Sequence, residues 1–567
     1  MQRRFRDHDL RQVDHLEGVW DFVFLGDLDA DKIDARTLRF TEPAAVPGCF
    51  DATPAYAGFR GVCAYRKRLR LRDGAPHRLV FDSVHHWCRI CIDGERLIDH
   101  AGGFSRFEVD LVGMRAGDHE LIVLVDNRIN LRLCPTHLPH YDWYQYGGIS
   151  RGVELHRLGD CWIDSLTITT EDYRARRIKV IIDATNAAAP RTLPLAIFVD
   201  GVQLHSESAP LQPGHQKLIR YLTLPNAELW YPHYPALHDL YVRLDDDDCR
   251  ERIGIRQITI RGREIVINDR PITLVGFCRH ESHPQFGHAV PEHLQLADLQ
   301  VMRQMGCNFL RGTHYPQDIH LLDLCDEFGI CVMSEGTGWN NTPEQLTDPA
   351  FLDAAIQNID EMVAAAINRP SVILWGMLSD GPSDKTECRP AYARLLGRLR
   401  QLDPSRPVTY ATSHFANDGC WDLADVLSII TYPGWEVGEL ADIPALLDSV
   451  TQSIDRAKQS TKPLLICELG AGALYGSHDW NRARWSEEYQ AALLDIAVRH
   501  LFETGHRVCG IALCQFCDSR TTTASATSLI RARGYNNKGV LDEYRRPKLA
   551  YQTVKAYFTR LTARPAD

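Results

Sequence analysis

From about residue 263 onward the chain repeats one pattern. Short apolar runs at 272–277, 307–311, 330–334, 372–378, 408–411, 426–431, 464–467 and 510–516 alternate with polar stretches. Several of those stretches, 293–305, 351–367, 391–402 and 486–502, carry apolar residues at helical spacing. Strands that follow one another through helices pair in parallel, and a parallel sheet must be covered on its faces. Eight such units predict a closed (β/α)8 barrel.

The chain ahead of this pattern reads differently. Residues 1–158 alternate with period two in segments such as Tyr65-Arg-Lys-Arg-Leu-Arg-Leu71 and Leu121-Ile-Val-Leu-Val125, parted by Gly, Asp and Pro turns. That is the texture of a β-sandwich. Residues 159–257 repeat it in about 100 residues, with Ile178-Lys-Val-Ile-Ile-Asp183 and Leu195-Ala-Ile-Phe-Val199, which fits an immunoglobulin-like sandwich. Three units, 1–158, 159–257 and 258–567, suit 567 residues at about 150 per domain.

Charge and composition narrow the function classes. A net charge of −11 argues against nucleic acid as a partner. No apolar run reaches the roughly 18 residues of a membrane helix. Met1 to Leu10 is charged throughout and lacks a signal-like apolar segment. The 17 cysteines then read as reduced thiols in a cytoplasm. Cys88 and Cys91 form a CxxC with no second pair at finger spacing, so packed strand cysteines are expected there rather than zinc.

A barrel of this kind carries its chemistry at the C-terminal strand ends. The polar residues there are Cys278, Arg279, His280 and Glu281; Arg311, Thr313, His314 and Tyr315; Glu335; Ser379, Asp380 and Asp384; Tyr432 and Trp435; Glu468; and Cys514, Gln515 and Asp518. Together they are expected to line one bowl of acids, histidines and aromatics. Such a bowl suits sugar chemistry, in which aromatics stack on rings and two carboxyls do acid/base and nucleophilic work.

At this point the residues resemble a known family, glycoside hydrolase family 2, over nearly the whole length. The first unit has Leu16-Glu-Gly-Val-Trp-Asp21, Gly61-Val-Cys-Ala-Tyr-Arg66, Gly102-Gly-Phe104, Val125-Asp-Asn127 and Asp142-Trp-Tyr-Gln-Tyr-Gly-Gly-Ile149. These are similar to the family's jelly-roll motifs. The last unit has Arg279-His-Glu281, Arg311-Gly-Thr-His-Tyr-Pro316 and Arg369-Pro-Ser-Val-Ile-Leu-Trp375. The resemblance implies a retaining glycosidase, with two carboxyls about 5–5.5 Å apart. It places the nucleophile at Glu468, in Ile466-Cys-Glu-Leu-Gly470, with the lower pKa of the two. Strand alternation then turns Cys467 away from the pocket.

The acid/base position departs from the family pattern. Trp375-Gly-Met-Leu-Ser-Asp380 stands where the family has Trp-x-x-x-Asn-Glu. Asp380 thus takes the acid/base place with a carboxyl withdrawn by roughly 1.5 Å. Ser379 replaces the asparagine that holds the sugar 2-hydroxyl. Ile430 and Cys514 also depart, from the Asn of Asn-x-Tyr432 and from a subsite tryptophan. Four changes in one pocket leave two alternatives open beside hydrolysis: other acid/base chemistry on a glycosylated metabolite, or a degenerate sugar-binding protein.

The resemblance also implies an acidic sugar. Asn536 and Lys538, in Tyr535-Asn-Asn-Lys-Gly539, match the Asn-x-Lys pair that holds a uronate carboxylate in the family's β-glucuronidases. An amide and an ammonium give a carboxylate charge-assisted bonds that a neutral hexose does not match, with Arg531 and Arg533 adding positive potential. Asp142 matches a position reaching a sugar hydroxyl, and His280, Arg311, His314 and Tyr432 match subsite residues. Glu335 is read as a sugar contact or as support for Arg311. Cys278, Cys514 and Cys517 are expected to approach one another near the bowl. The expectation is thus a β-uronidase acting on a small-molecule or oligosaccharide glycoside, without cofactor or metal, working as a cytoplasmic homo-oligomer.

Overall fold

The computed structural model describes residues 5–138, 141–504, 508–522 and 531–563. Between Val13 and Arg157 the described residues form two large antiparallel sheets and a two-stranded one, Val84–His85 with Gly148–Ile149. One has four strands, ordered Val13–His15, Val153–Arg157, His77–Phe81 and Phe107–Leu111. The other has six, ordered Glu42–Val46, Gly18–Gly26, Val62–Leu71, Gly117–Asp126, Trp87–Ile92 and Glu95–Ala101. Trp20, Leu69, Phe81, Ile90 and Val123 share the core between them. Cys88 belongs to that core and Cys91 to the apolar cluster of Ala64 and Ile122, so the two CxxC thiols pack on different faces of one strand.

A second sandwich of three and four strands follows, between Cys161 and Ile253. Its alternating residues Ile178, Val180, Ile182, Leu195 and Ile197 fill the middle. Arg369 then ties this sandwich to the barrel. It is fully buried and pairs with Glu251 of the sandwich and with Asp323 and Asp326 of a barrel helix.

The third unit is the closed parallel barrel. Its strands are β1 (Leu274–Arg279), β2 (Phe309–Gly312), β3 (Cys331–Glu335), β4 (Val372–Ser379), β5 (Val408–Thr412), β6 (Leu427–Ile430), β7 (Leu464–Leu469) and β8 (Val508–Leu513). β8 closes onto β1. Each of the eight apolar runs contains a strand, with ends shifted by a few residues. A short antiparallel sheet (Ile258–Arg261, Glu264–Ile267, Arg270–Ile272) precedes β1. Its Ile258, Ile265, Ile267 and Ile272 pack with the inward residues Leu274, Phe309 and Leu465, plugging the N-terminal end. Only the opposite end is left for a pocket.

Local signals set the helices. Ile319–Phe328 starts on Asp318, whose carboxylate accepts the His320 N–H, and ends on Gly329 in the left-handed region at φ 66°. β5 and β6 are joined by a short 3-10 turn, Trp421–Leu423, in place of an α-helix.

Strand β7 breaks the alternation expected of it. Leu465 and Cys467 face the barrel interior, while Ile466 and Leu469 face the helices. Register shifts in the pairing with β6 and β8 at this point turn Glu468 inward as well. Cys467 points into the barrel interior but does not line the pocket above it. It lies inside the barrel beneath Glu468, where the Cys278 thiol donates to its carbonyl at 3.1 Å.

Candidate active site

A cavity of about 460 Å³ opens at the C-terminal ends of the strands, the size of a small-molecule site. Glu468 lies in its wall, with both oxygens engaged. The Tyr432 hydroxyl donates to Oε2 at 2.6 Å and Arg311 Nη1 to Oε1 at 2.6 Å. His314 Nε2 is 3.7 Å from Oε1. Burial pushes the Glu468 pKa up, but Arg311, His314 and Tyr432 together hold it below the ordinary carboxylate range.

Arg311 is the hub under this group. Its Nε and Nη2 donate to Glu335 Oε2 at 2.9 and 2.7 Å, and Nη2 also donates to Ser379 Oγ at 2.9 Å. Glu335 Oε1 in turn meets His314 Nδ1 at 3.1 Å. Arg311, Glu335 and Ser379 are fully buried and none lines the cavity. Arg311 and Ser379, read as subsite residues, stand beneath the cavity wall. Of the two readings of Glu335, support for Arg311 matches its place.

Asp380 does line the cavity, one residue beyond β4, with φ +53°. Its Oδ1 accepts the Ser413 N–H at 3.0 Å, so the turn after β5 fixes the carboxyl. Ile430 and Cys514 are also in the wall. The Cys514 thiol sits beside Cys278 and Tyr432, whereas Cys517 packs with the outer-layer core. The three thiols therefore do not gather. Among the described residues, no three His, Cys, Asp or Glu side chains converge as metal ligands.

His280 and His314 form one side with Trp143, whose ring is 5.2 Å from each imidazole. Desolvation first, then His314, His288 and Arg311, drive the His280 pKa well below its ordinary value. His280 is thus a neutral ring near Tyr315 Oη, at 3.3 Å. Trp143 and Trp339 supply the aromatic faces that β8 lacks.

The Asn-x-Lys pair faces the same cavity. Lys538 is 4% exposed at its side chain, and its ammonium lies 3.8 Å from the centre of the Tyr432 ring. Gln490, from the helix Glu487–Glu503, holds this segment by donating to the carbonyls of Ala471 and Gly539 at 2.8 and 3.0 Å. Asn536 Nδ2 donates to Asp142 Oδ2 at 2.9 Å, and Arg531 Nε donates to Asp142 Oδ1 at 2.7 Å. Asp142 lines the cavity, but its carboxylate is bound to those two side chains. Asp142, read as reaching a sugar hydroxyl, thus stands at the cavity and also clamps its cationic end.

Other strand-end residues lie outside the bowl. Arg279 pairs with Asp298, Glu281 with Arg151, Asp518 with Lys548 and Asp384 with Lys385. Trp435 packs on Trp485, ring centres 5.0 Å apart, and Arg533 pairs with Glu543. Sequence reasoning missed Trp143, Trp339, Phe415 and Glu436 as wall residues. Trp143 had a signal, its place in the Asp142-Trp-Tyr-Gln motif. Trp339 and Phe415 lie in loops with no periodic pattern.

Comparison with known proteins matches this geometry. Residues 258–563 match the TIM barrel domain of glycosyl hydrolases family 2. A β-galacturonidase of that family from Eisenbergiella tayi, solved with galacturonate, superposes with a TM-score of 0.92 at 32% identity, covering 99% of each chain. A β-glucuronidase of Rattus norvegicus is 27% identical over 97% of this chain and 91% of its own length. One from Paenibacillus borealis is 25% identical over 96% of both.

Proposed function

The chain belongs to glycosyl hydrolase family 2, and on that premise we propose that it hydrolyses β-linked uronic-acid glycosides, glucuronides or galacturonides, with retention. The observation that carries this reading is the buried Lys538 ammonium facing the same cavity as Glu468. A buried cation in a sugar-sized pocket selects an anionic substrate, because a neutral one makes no charge-assisted bond to it.

The reaction runs by double displacement. Glu468, kept ionised by its donors, attacks the anomeric carbon. Asp380 gives its proton to the departing oxygen, and a covalent glycosyl-enzyme forms. Asp380 then takes a proton from water, which attacks the anomeric carbon and releases Glu468. Trp143 and Trp339 pack on the ring, while Asn536, Lys538 and Arg531 hold its carboxylate. His280 and His314 line the sugar side, and Ile430 and Cys514 stand where the family has an asparagine and a tryptophan.

Release of 4-nitrophenol from β-glucuronide, galacturonide, glucoside, galactoside and mannoside tests this, with Glu468→Ala protein as the blank. One uronide is expected to exceed every neutral sugar by about 10- to 100-fold in kcat/KM, the worth of a charge-assisted contact. Preference for a neutral sugar overturns the acidic-substrate reading.

We further propose a cytoplasmic homo-oligomer. All 17 cysteines are buried and unbridged, which suits a reducing compartment. Trp480, fully exposed in the loop after β7, is a side chain that a second copy could cover. Sedimentation of the purified chain checks the assembly.

A further inference from the structure

Glu436 stands in the cavity wall at its cationic end. Its Oε1 is 3.4 Å from Lys538 Nζ, and it is the one hydrogen-bond acceptor that the described side chains offer this ammonium. Lys538 is 4% exposed and Glu436 is 53% exposed at the side chain, so the pair joins a buried cation to an acid that reaches solvent. The backbone under Glu436 is pinned. Trp435 packs on Trp485, Arg484 donates to the Trp435 carbonyl, and Arg484 Nη2 donates to the Gly438 carbonyl at 2.9 Å. Gly434 and Gly438 bracket the turn in the left-handed region, at φ 76° and 73°. A fixed backbone with a half-exposed side chain lets the carboxylate swing without moving the loop.

We propose that Glu436 is a built-in stand-in for the substrate carboxylate. It neutralises Lys538 in the free enzyme and is displaced into solvent when an acidic sugar binds. The inference rests on the uronide reading above. Two carboxylates do not share one buried ammonium without mutual repulsion, so the stronger bound replaces the other. A neutral sugar brings nothing to exchange for Glu436, and the pair stays closed against it. Glu436 thereby sharpens selection for an acid, at the cost of affinity for that acid.

Calorimetric titration with galacturonate, glucuronate, galactose and glucose tests this without depending on turnover. The proteins are wild type, Glu436→Gln, Glu436→Ala, Lys538→Ala and the double variant Glu436→Gln/Lys538→Ala. Both Glu436 variants are expected to bind one uronate roughly threefold to tenfold tighter than wild type, as expected when a partly exposed ion pair no longer competes. The gain should vanish in the Lys538→Ala background, because the competition exists only through that ammonium. Weaker or unchanged uronate binding in both Glu436 variants overturns the proposal, since Glu436 then contacts the sugar or does nothing. If wild type binds a uronate through Lys538 but neither Glu436 variant binds it more tightly, the gate alone fails. If no protein binds either uronate, the uronide reading fails and the gate with it.

Discussion

Glu468 is a carboxylate whose ionisation is decided by its neighbours. Burial raises its pKa, and Arg311, His314 and Tyr432 outweigh that effect. Tyr432→Phe keeps the ring beneath Lys538 and removes one donor to the charged form, so the Glu468 pKa must rise. On the proposed mechanism Glu468 is the nucleophile and is lost when protonated, so the acid limb of kcat/KM moves to higher pH. kcat itself falls by about 10- to 100-fold, the worth of a hydrogen bond to a charged group. A pH–rate profile with an unmoved acid limb would sink this account. At this scale the sequence was informative where a residue sits at a fixed offset from a strand, as Glu468 and Asp380 do. It was silent on whether Ser379 and Arg311 stand in the wall or under it, because a strand-end position does not carry that information.

At the scale of elements, apolar runs flanked by turns made the barrel strands legible. The helices Ile319–Phe328 and Ile443–Arg456 were not among the stretches picked out, although Asp318 and Gly329 mark the first as a cap and a stop. The bulge in β7 was hidden for a physical reason. Alternation in a sequence assumes a regular pleat, and only pairing with β6 and β8 shows where the pleat slips. Gly470 follows that slip directly, and a Cβ there would lie 2.0 Å from the Cys514 carbonyl oxygen. Gly470→Ala is therefore expected to push β7 off β8 and carry Glu468 out of line. A displacement near 1 Å costs about 10²-fold in rate. Turnover should fall that far while near-ultraviolet circular dichroism still reports a packed protein. Wild-type turnover in a folded Gly470→Ala protein would show that the strand end does not position Glu468.

Over the whole molecule, the barrel supplies Glu468 and Asp380 and the first sandwich completes the pocket. Asp142 and Trp143 belong to the segment between the strands Gly117–Asp126 and Gly148–Ile149. That segment is tied to the barrel by the Tyr144 N–H on the Arg520 carbonyl, at 2.7 Å, and by Gln345 Nε2 on the His137 carbonyl, at 2.7 Å. The motif was legible in the sequence, but its partner was not, because Asp142 and Arg531 lie 389 residues apart. In the proposed site, Asp142 is the counter-charge that orients Arg531 and Asn536 toward the sugar carboxylate. Asp142→Asn keeps the shape and removes the charge, and its amide presents N–H donors where Arg531 and Asn536 also donate. The cationic end then loses its arrangement while Glu468 and Asp380 keep theirs. KM for a uronide should rise about tenfold with kcat nearly unchanged, as when binding common to ground and transition states is removed. Both constants, measured on the same uronide, separate this from damage to the barrel, which would lower kcat. A KM that stays at the wild-type value would mean that Arg531 and Asn536 are held by the barrel alone, and that the first sandwich contributes walls to the pocket but no recognition.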